Sequence, residues 1–279
     1  MPMKKDKLSE LIKEFKLSQL FQEKTKIIEF TKQHSYDDLM KVHFKSYPRF
    51  DKVKLSKKIE KSKISLEEVI TKRKSFREFK GKPISKEEIS KLLFLSAGIK
   101  EMRKNAATEL RYSLEYPFTI QEVPVENVKD VWDTSRRSYP SAGARYPLEI
   151  YPVILRSDEI KPGIYHYNVK EHTLELIKTG DFGDLMTELC NGQKWVKDAS
   201  IVLLISAVFS RTQNKYGDRG YRYILFDAGH LGQNIYLTVN SMNLGCCAIG
   251  GFKDDEINEL LRLNFIEESV IYIFCIGEV

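Results

Sequence analysis

The chain has 279 residues, enough for a full hydrophobic core and near the upper size for one domain. With 42% hydrophobic and 30% charged residues it reads as a soluble globular protein, and no apolar run reaches the roughly 20 residues of a membrane-spanning helix. The net charge of +6 is uneven, residues 1–100 holding 26 Lys+Arg against 14 Asp+Glu. Because acids are interleaved and no recognition motif accompanies the bases, nucleic acid is a poor partner. A solvated lysine-rich face is the simpler reading, and an acidic peptide or companion enzyme the alternative. Cys190, Cys246, Cys247 and Cys275 form no CxxC pair and the five histidines are scattered, which argues against a zinc site or disulfide framework. The basic N-terminus has no apolar signal core, so a reducing cytoplasmic setting is expected.

Residues 1–65 are predicted to be a helical extension. Leu8, Leu11, Ile12 and Phe15 fall at helical spacing, and Ile27, Ile28 and Phe30 open a second cluster. Tyr47-Pro48 breaks the pattern, and the lysine-rich residues 51–63 are expected to be exposed. A helix is predicted over 66–73. A second begins at Ser85, whose Glu88 partner completes a capping box, and closes at Gly98. Residues 99–135 carry few periodic signals and are expected to be irregular, either a lid or binding loop or a disordered stretch. Three strands follow at 148–155, 163–168 and 173–178, in an antiparallel meander. Pro152 cannot donate to a ladder, placing its strand at an edge or a bulge. A short helix near 184–191 and a buried strand at 201–207 come next.

The longest predicted helix spans 221–244, with Tyr221, Leu225, Ala228, Leu231, Ile235 and Val239 as its apolar stripe. Glycine inside a helix costs about 1 kcal/mol relative to alanine, so Gly229 and Gly232 predict close packing within or between subunits. A strand at 246–249, a helix at 254–263 and a strand at 270–276 complete an α+β core with a mixed central sheet.

Four segments have chemical potential. Arg73, Lys74, Ser75 and Arg77 place three cations and a hydroxyl within five residues, a set suited to a terminal phosphate but also common on a solvated surface. Pro140-Ser141-Ala142-Gly143 would let backbone N–H groups approach a planar or anionic ligand, or would simply turn the chain into a strand. Ile249-Gly250-Gly251 ends a strand in two glycines, exposing backbone donors or making an ordinary turn. Lys215-Tyr216 supplies a base if burial lowers the lysine, or a tyrosinate if the ammonium favours it. By itself the dipeptide carries no meaning. No GxGxxG in a βαβ setting and no P-loop is present.

In this order and spacing, the segments at 138–155, 215–234 and 246–252 resemble the nitroreductase superfamily, in particular its SagB-type azoline dehydrogenases. The resemblance covers residues 66–279 and implies a nitroreductase-like FMN domain working as a homodimer, with flavin at the subunit junction. It implies that Arg73, Lys74, Ser75 and Arg77 hold the phosphate. Pro140, Ser141, Ala142 and Gly143 would line the flavin, and Ile249, Gly250 and Gly251 would lie near N5. Lys215 and Tyr216 would manage the proton while a thiazoline or oxazoline ring of a ribosomally made peptide is oxidised, in company with a cyclodehydratase. The alternatives are an NAD(P)H-dependent nitro, quinone or ene reductase and a flavin-free interaction subunit. Many relatives return a basic tail to the phosphate; with Val279 following the last strand, Arg137 or Arg222 is expected to assist instead. His230, Gln233 and Asn234 are also motif-like, and a polar helix face explains them equally well.

Overall fold

The computed structural model describes residues 16–26, 44–106, 108–112, 120–124 and 131–279. The apolar clusters expected at 8–15 and 27–30 lie outside them. The described elements are α1 (Lys16–Lys24), β1 (Lys52–Lys54), α2 (Leu66–Lys72), α3 (Lys86–Ala97), β2 (Ile99–Ala106), β3 (Thr108–Tyr112), β4 (Ile120–Pro124) and β5 (Val131–Arg137). Then come β6 (Leu148–Ile154), β7 (Gly163–Asn168), β8 (Thr173–Thr179), α4 (Gly183–Leu189), β9 (Ile201–Val208), α5 (Ser210–Tyr216), α6 (Arg219–Asn240), β10 (Gly245–Ile249), α7 (Asp254–Leu261) and β11 (Glu268–Gly277).

Seven strands pair in the order β1-β8-β7-β6-β9-β11-β10. Their ladders are antiparallel, and the parallel component of the expected mixed sheet is confined to the Ile84–Ser157 bridge. Side chains alternate between faces along each strand, so one sheet carries two cores. Leu148, Ile150, Leu203 and Ile205 meet Leu92 and Leu93 of α3 and Leu231 and Ile235 of α6. Tyr151, Val153, Val202 and Leu204 share the other core with Met186 of α4 and Ile257 of α7. The capping box at α3 is present: Glu88 N donates to Ser85 Oγ at 3.2 Å and Ser85 N to Glu88 Oε2 at 2.8 Å.

Three expectations need correction and one needs an addition. The strand carrying Pro152 lies inside the sheet, because its ladder to β7 is registered only at Val153 and Ile154, leaving the proline's missing donor where no pairing is needed. The described part of 99–135 is not irregular: β2 pairs with β5 and β3 with β4, both antiparallel. The lysines of the stretch 51–63 are exposed as expected, and residues 52–54 in addition form β1 at the sheet edge by pairing with β8. The α6 stripe divides, with Ala228, Leu231, Ile235 and Val239 buried but Tyr221 and Leu225 exposed on the first two turns.

The two α6 glycines also differ. A Cβ on Gly232 would sit 2.8 Å from Phe274 Cζ in the core, whereas one on Gly229 would meet nothing within 4 Å. Gly232→Val is therefore expected to destabilise the protein by about 1–3 kcal/mol through overpacking. An unchanged melting midpoint would contradict the contact. Among the described residues, no helix is long and apolar enough to cross a membrane.

Candidate functional site

The small-residue turn between β5 and β6 is held by an aspartate that periodicity in the sequence does not single out. Asp227 is buried on α6; its carboxylate accepts from Ser141 Oγ at 2.5 Å and from Ala142 N at 3.2 Å. Ser141 Oγ in turn accepts from Tyr146 N at 2.8 Å. These bonds close a turn in which Gly143, Ala144 and Tyr146 have φ of 58°, 53° and 45°. Alanine and tyrosine reach that left-handed region only when surrounding structure over-determines it. Burial pushes the Asp227 carboxyl up, against the lowering effect of its two hydrogen bonds. The signal available in the sequence was the acid inside the FDAGH stretch of the long helix.

The turn meets the Lys-Tyr pair at contact distance. A Cβ on Gly143 would lie 2.5 Å from Tyr216 Oη and 3.0 Å from Lys215 Nζ. Both side chains come from the last turn of α5, which Gly217, at φ 58°, separates from α6. Lys215 Nζ lies 5.5 Å from the Tyr216 ring centroid, and Tyr223 packs edge-on against that ring at 5.0 Å. Burial raises the phenol of Tyr216, with Tyr223 and Asp227 adding to the rise and Arg145 opposing it. The site therefore keeps a protonated phenol and does not prepare the tyrosinate alternative.

The basic segment is brought to the far part of the same helix. Phe76 N donates to Cys246 O at 3.0 Å, laying residues 73–77 along β10. Ser75 Oγ shares a 3.0 Å hydrogen bond with Tyr236 Oη, which also accepts from Ala248 N at 2.9 Å. The guanidinium of Arg73 lies 5.3 Å from the Tyr236 ring centroid, while Lys74 sits over the ring of Phe76. Lys74 and Arg77 are exposed. Asp227 and Tyr236 are nine residues apart, about 13–14 Å along the helix at 1.5 Å per residue. In one chain, then, α6 carries the Ser141 turn and the Arg73–Ser75 segment at separated points.

Ile249, Gly250 and Gly251 follow directly from that end of β10. Gly250 is exposed, and a Cβ there would meet nothing within 4 Å, so open space faces this backbone. It lines a cleft of about 460 Å³ with Phe209, Tyr221, Leu225, Phe252 and Phe265. Gln213 of α5 also lines it, placing the cleft beside the helix that carries Lys215 and Tyr216. The arginines expected to assist a phosphate are otherwise engaged. Arg137 is buried beside the Tyr146 ring at 4.7 Å, and Arg222 bonds Gln22 and Thr25 of the N-terminal helix region. Asn234 donates to the carbonyls of Ser96 and Ser138, so its role is to tie α6 to the entry of the turn. All four cysteines are buried free thiols; burial pushes Cys190 up to about 12.

A buried ionic cluster, equally unmarked in the sequence, crosses the sheet on the face away from α6. His166 contacts Glu149 at 2.8 Å through Nε2 and Glu175 at 3.0 Å through Nδ1, and Glu149 pairs with Arg211 at 2.5 Å. Burial opposes ionisation of Glu149, but Arg211 and then His166 overcome it and hold the carboxyl at about 2. Glu175 is likewise held at about 2 against burial, by His166, Asn168 and the Tyr47 amide. Burial alone would lower His166, yet its two carboxylate partners raise it. Both ring nitrogens face acceptors, which is the geometry of an imidazolium. The partners of each group come from neighbouring strands and from α5, so nothing within a few residues of Glu149, His166 or Glu175 marks the cluster.

Comparison with known proteins agrees with this architecture. A protein of Methanocaldococcus jannaschii named as a nitroreductase is 32% identical over 200 residues, covering 72% of this chain and 85% of its own. The microcin B17-processing protein McbC of Escherichia coli is 28% identical over 134 residues, covering 46% of this chain; the match spans only 49% of McbC. The solved E. coli microcin synthetase McbBCD complex with truncated pro-MccB17 bound contains a chain matching 94% of this one and 82% of itself, at a TM-score of 0.56 and 21% identity, a likeness of fold. The Nitroreductase family model matches residues 70–278. With that match spanning every strand of the sheet except β1, the Lys-Tyr helix and both glycine-bearing segments, the chain belongs to the nitroreductase family of oxidoreductases.

Proposed function

We propose that this protein is an FMN-dependent dehydrogenase of thiazoline or oxazoline rings in a ribosomally made peptide, acting as a homodimer beside a cyclodehydratase. The observation that carries the reading is the contact of Lys215 and Tyr216 with the Ser141–Gly143 turn, which joins two segments far apart in sequence at one surface. The residues fit the cofactor. Gly143 makes room for the tips of Lys215 and Tyr216 at the turn, Gly250 faces open space, and Arg73, Lys74, Ser75 and Arg77 gather cationic and hydroxyl donors on the flank of β10. Pro140 and Ala142 complete the small-residue wall, while Ile249 and Gly251 fix the strand end around Gly250. Bound FMN would supply the hydride acceptor of the reaction. On this reading Lys215 would take the proton from the neighbouring ring carbon, with the protonated Tyr216 hydroxyl orienting the ring nitrogen or oxygen.

The homodimer reading rests on the outer face of α6. Tyr221, Leu225 and Phe226 are exposed there and Gly229 opens onto free space, a surface suited to close helix packing with a second copy. Such a pairing would bring the turn of one subunit toward the basic segment of the other, removing the separation along α6 within one chain. The relatedness to McbC, named as processing microcin B17, supports the peptide substrate. Residues 66–279 are read as the FMN domain and residues 1–65 as its extension, contributing β1.

An NAD(P)H-dependent reductase is the second reading, favoured by the longer match to the archaeal protein named as a nitroreductase. Purified protein should be yellow and should oxidise a thiazoline peptide. Lys215→Ala and Tyr216→Phe should each keep FMN and lose roughly 10²–10⁴-fold in turnover, the usual worth of general acid–base groups. Full activity in both variants refutes the catalytic pair. Rapid bleaching by NAD(P)H followed by nitroarene reduction selects the reductase, and colourless protein that refuses FMN ends both.

A further inference from the structure

Arg211 lies one helical turn before Lys215 on α5, and its exposure is only 4%. Its guanidinium donates to Tyr146 O at 3.2 Å, while its own carbonyl accepts from Arg145 Nε at 2.6 Å. Side chain and main chain of one residue therefore staple α5 to residues 145–146, the exit of the small-residue turn. Tyr146 N in turn bonds Ser141 Oγ, which bonds Asp227. From Arg211 the contacts run the other way as well, through Glu149, His166 and Glu175, across β6, β7 and β8. Glu175 ends the series on β8, next to the edge strand β1, where it accepts from Tyr47 N at 2.8 Å and lies 3.5 Å from Lys52 Nζ. His166 and Glu175 are fully buried and Glu149 nearly so. Each link is charged or charge-assisted and out of water, so loss of any one leaves its neighbour's charge uncompensated.

We propose that Arg211, Glu149, His166 and Glu175 are a relay of positioning residues that fixes Lys215 and Tyr216 over the Ser141–Gly143 turn and makes the edge segment 47–52 part of that site. The inference rests on the reading of the Lys-Tyr pair and the turn as the reaction site. It gives the residues preceding the core domain a specific role, because the Tyr47 amide donates to Glu175 and the Lys52 ammonium lies beside it, at the far end of a chain of contacts that reaches Arg211, four residues before Lys215. The groups facing His166 are Glu149 from β6, Glu175 from β8, and the rings of Tyr47 and Tyr151 at 5.0 and 5.2 Å. Lys45 lies beyond them, donating to Tyr151 Oη and Glu268.

The test measures the reactivity of Lys215 itself. Full-length protein is labelled with limiting acetic anhydride, and acetylation of Lys215 is read by mass spectrometry relative to the exposed Lys161. The double variant Glu149→Gln/Arg211→Met removes one charge of each sign and keeps a hydrogen-bond acceptor for His166, avoiding an orphaned buried charge. Lys215 labelling is expected to change about fivefold or more in that variant, as displacements near 1 Å have large effects on aligned groups. Glu175→Gln, a milder change at the far end, should shift it in the same direction by about twofold. It serves as the deciding variant if the double variant does not fold. Labelling within experimental error of wild type in a folded variant overturns the relay. FMN titration of wild type by flavin fluorescence is scored separately. Altered labelling without FMN binding would sink the flavin reading and leave the relay, while tight FMN binding with unaltered labelling would do the reverse.

Discussion

Gly143→Val is expected to leave a folded protein that has lost the proposed ring-oxidising activity. Two costs coincide at this residue. Its φ of 58° is a conformation that a β-branched side chain rarely adopts, and holding one there costs about 1–3 kcal/mol. The added Cβ would also arrive 2.5 Å from Tyr216 Oη and 3.0 Å from Lys215 Nζ, well inside van der Waals contact. The collision is with two side-chain tips on α5 and not with the sheet. Relief therefore comes from displacing the Lys-Tyr pair and opening the turn, while both hydrophobic cores remain intact. We expect a fall in turnover on a thiazoline peptide of about 100-fold or more, since misplacement near 1 Å has that effect on aligned groups. The melting midpoint should drop by only a few degrees, roughly what 1–2 kcal/mol produces in a chain of this size. Turnover and FMN affinity equal to wild type would show that the contact between turn and helix is irrelevant to the reaction.

Glu149→Ala is expected to have the largest effect on stability. The carboxylate compensates Arg211 on one side and His166 on the other, all three being nearly or fully buried. Breaking a buried pair by removing one partner costs about 3–5 kcal/mol because the remaining charge has no solvent. Urea denaturation should report that loss. Wild-type stability should respond to pH through the same groups. Glu149 and Glu175 are both held at about 2, below the ordinary carboxylate range, so their contribution is present above that range and disappears as pH falls through it toward 2. His166 is raised, so its contribution is complete below the ordinary histidine value and fades as pH climbs through the elevated one. The urea midpoint of wild type should therefore fall on both the acid and the alkaline side. A midpoint independent of pH on the acid side would mean that the two carboxylates are not paired as the structure has them.

Elements whose signal is local were legible in the amino-acid order alone. The capping box at Ser85 and Glu88, the strands at 148–155 and 163–168, the apolar run of β9 and the long helix are each set by neighbours within a few residues, where spacing carries the information. The small-residue turn and the two glycines after β10 were visible for the same reason, because residues without side chains mark close approach wherever they occur. What those segments touch was settled by the assembled fold. That Gly143 leaves room for Tyr216, that Asp227 closes the turn, that Pro152 sits inside a sheet and that Glu149 and Glu175 are neutralised by His166 and Arg211 depend on strand order and helix docking. A lone acid or histidine in a strand has the same local pattern whether it is solvated or paired. Its partner is brought in from a neighbouring strand or helix, and the desolvation that makes the pairing matter exists only once the sheet has formed.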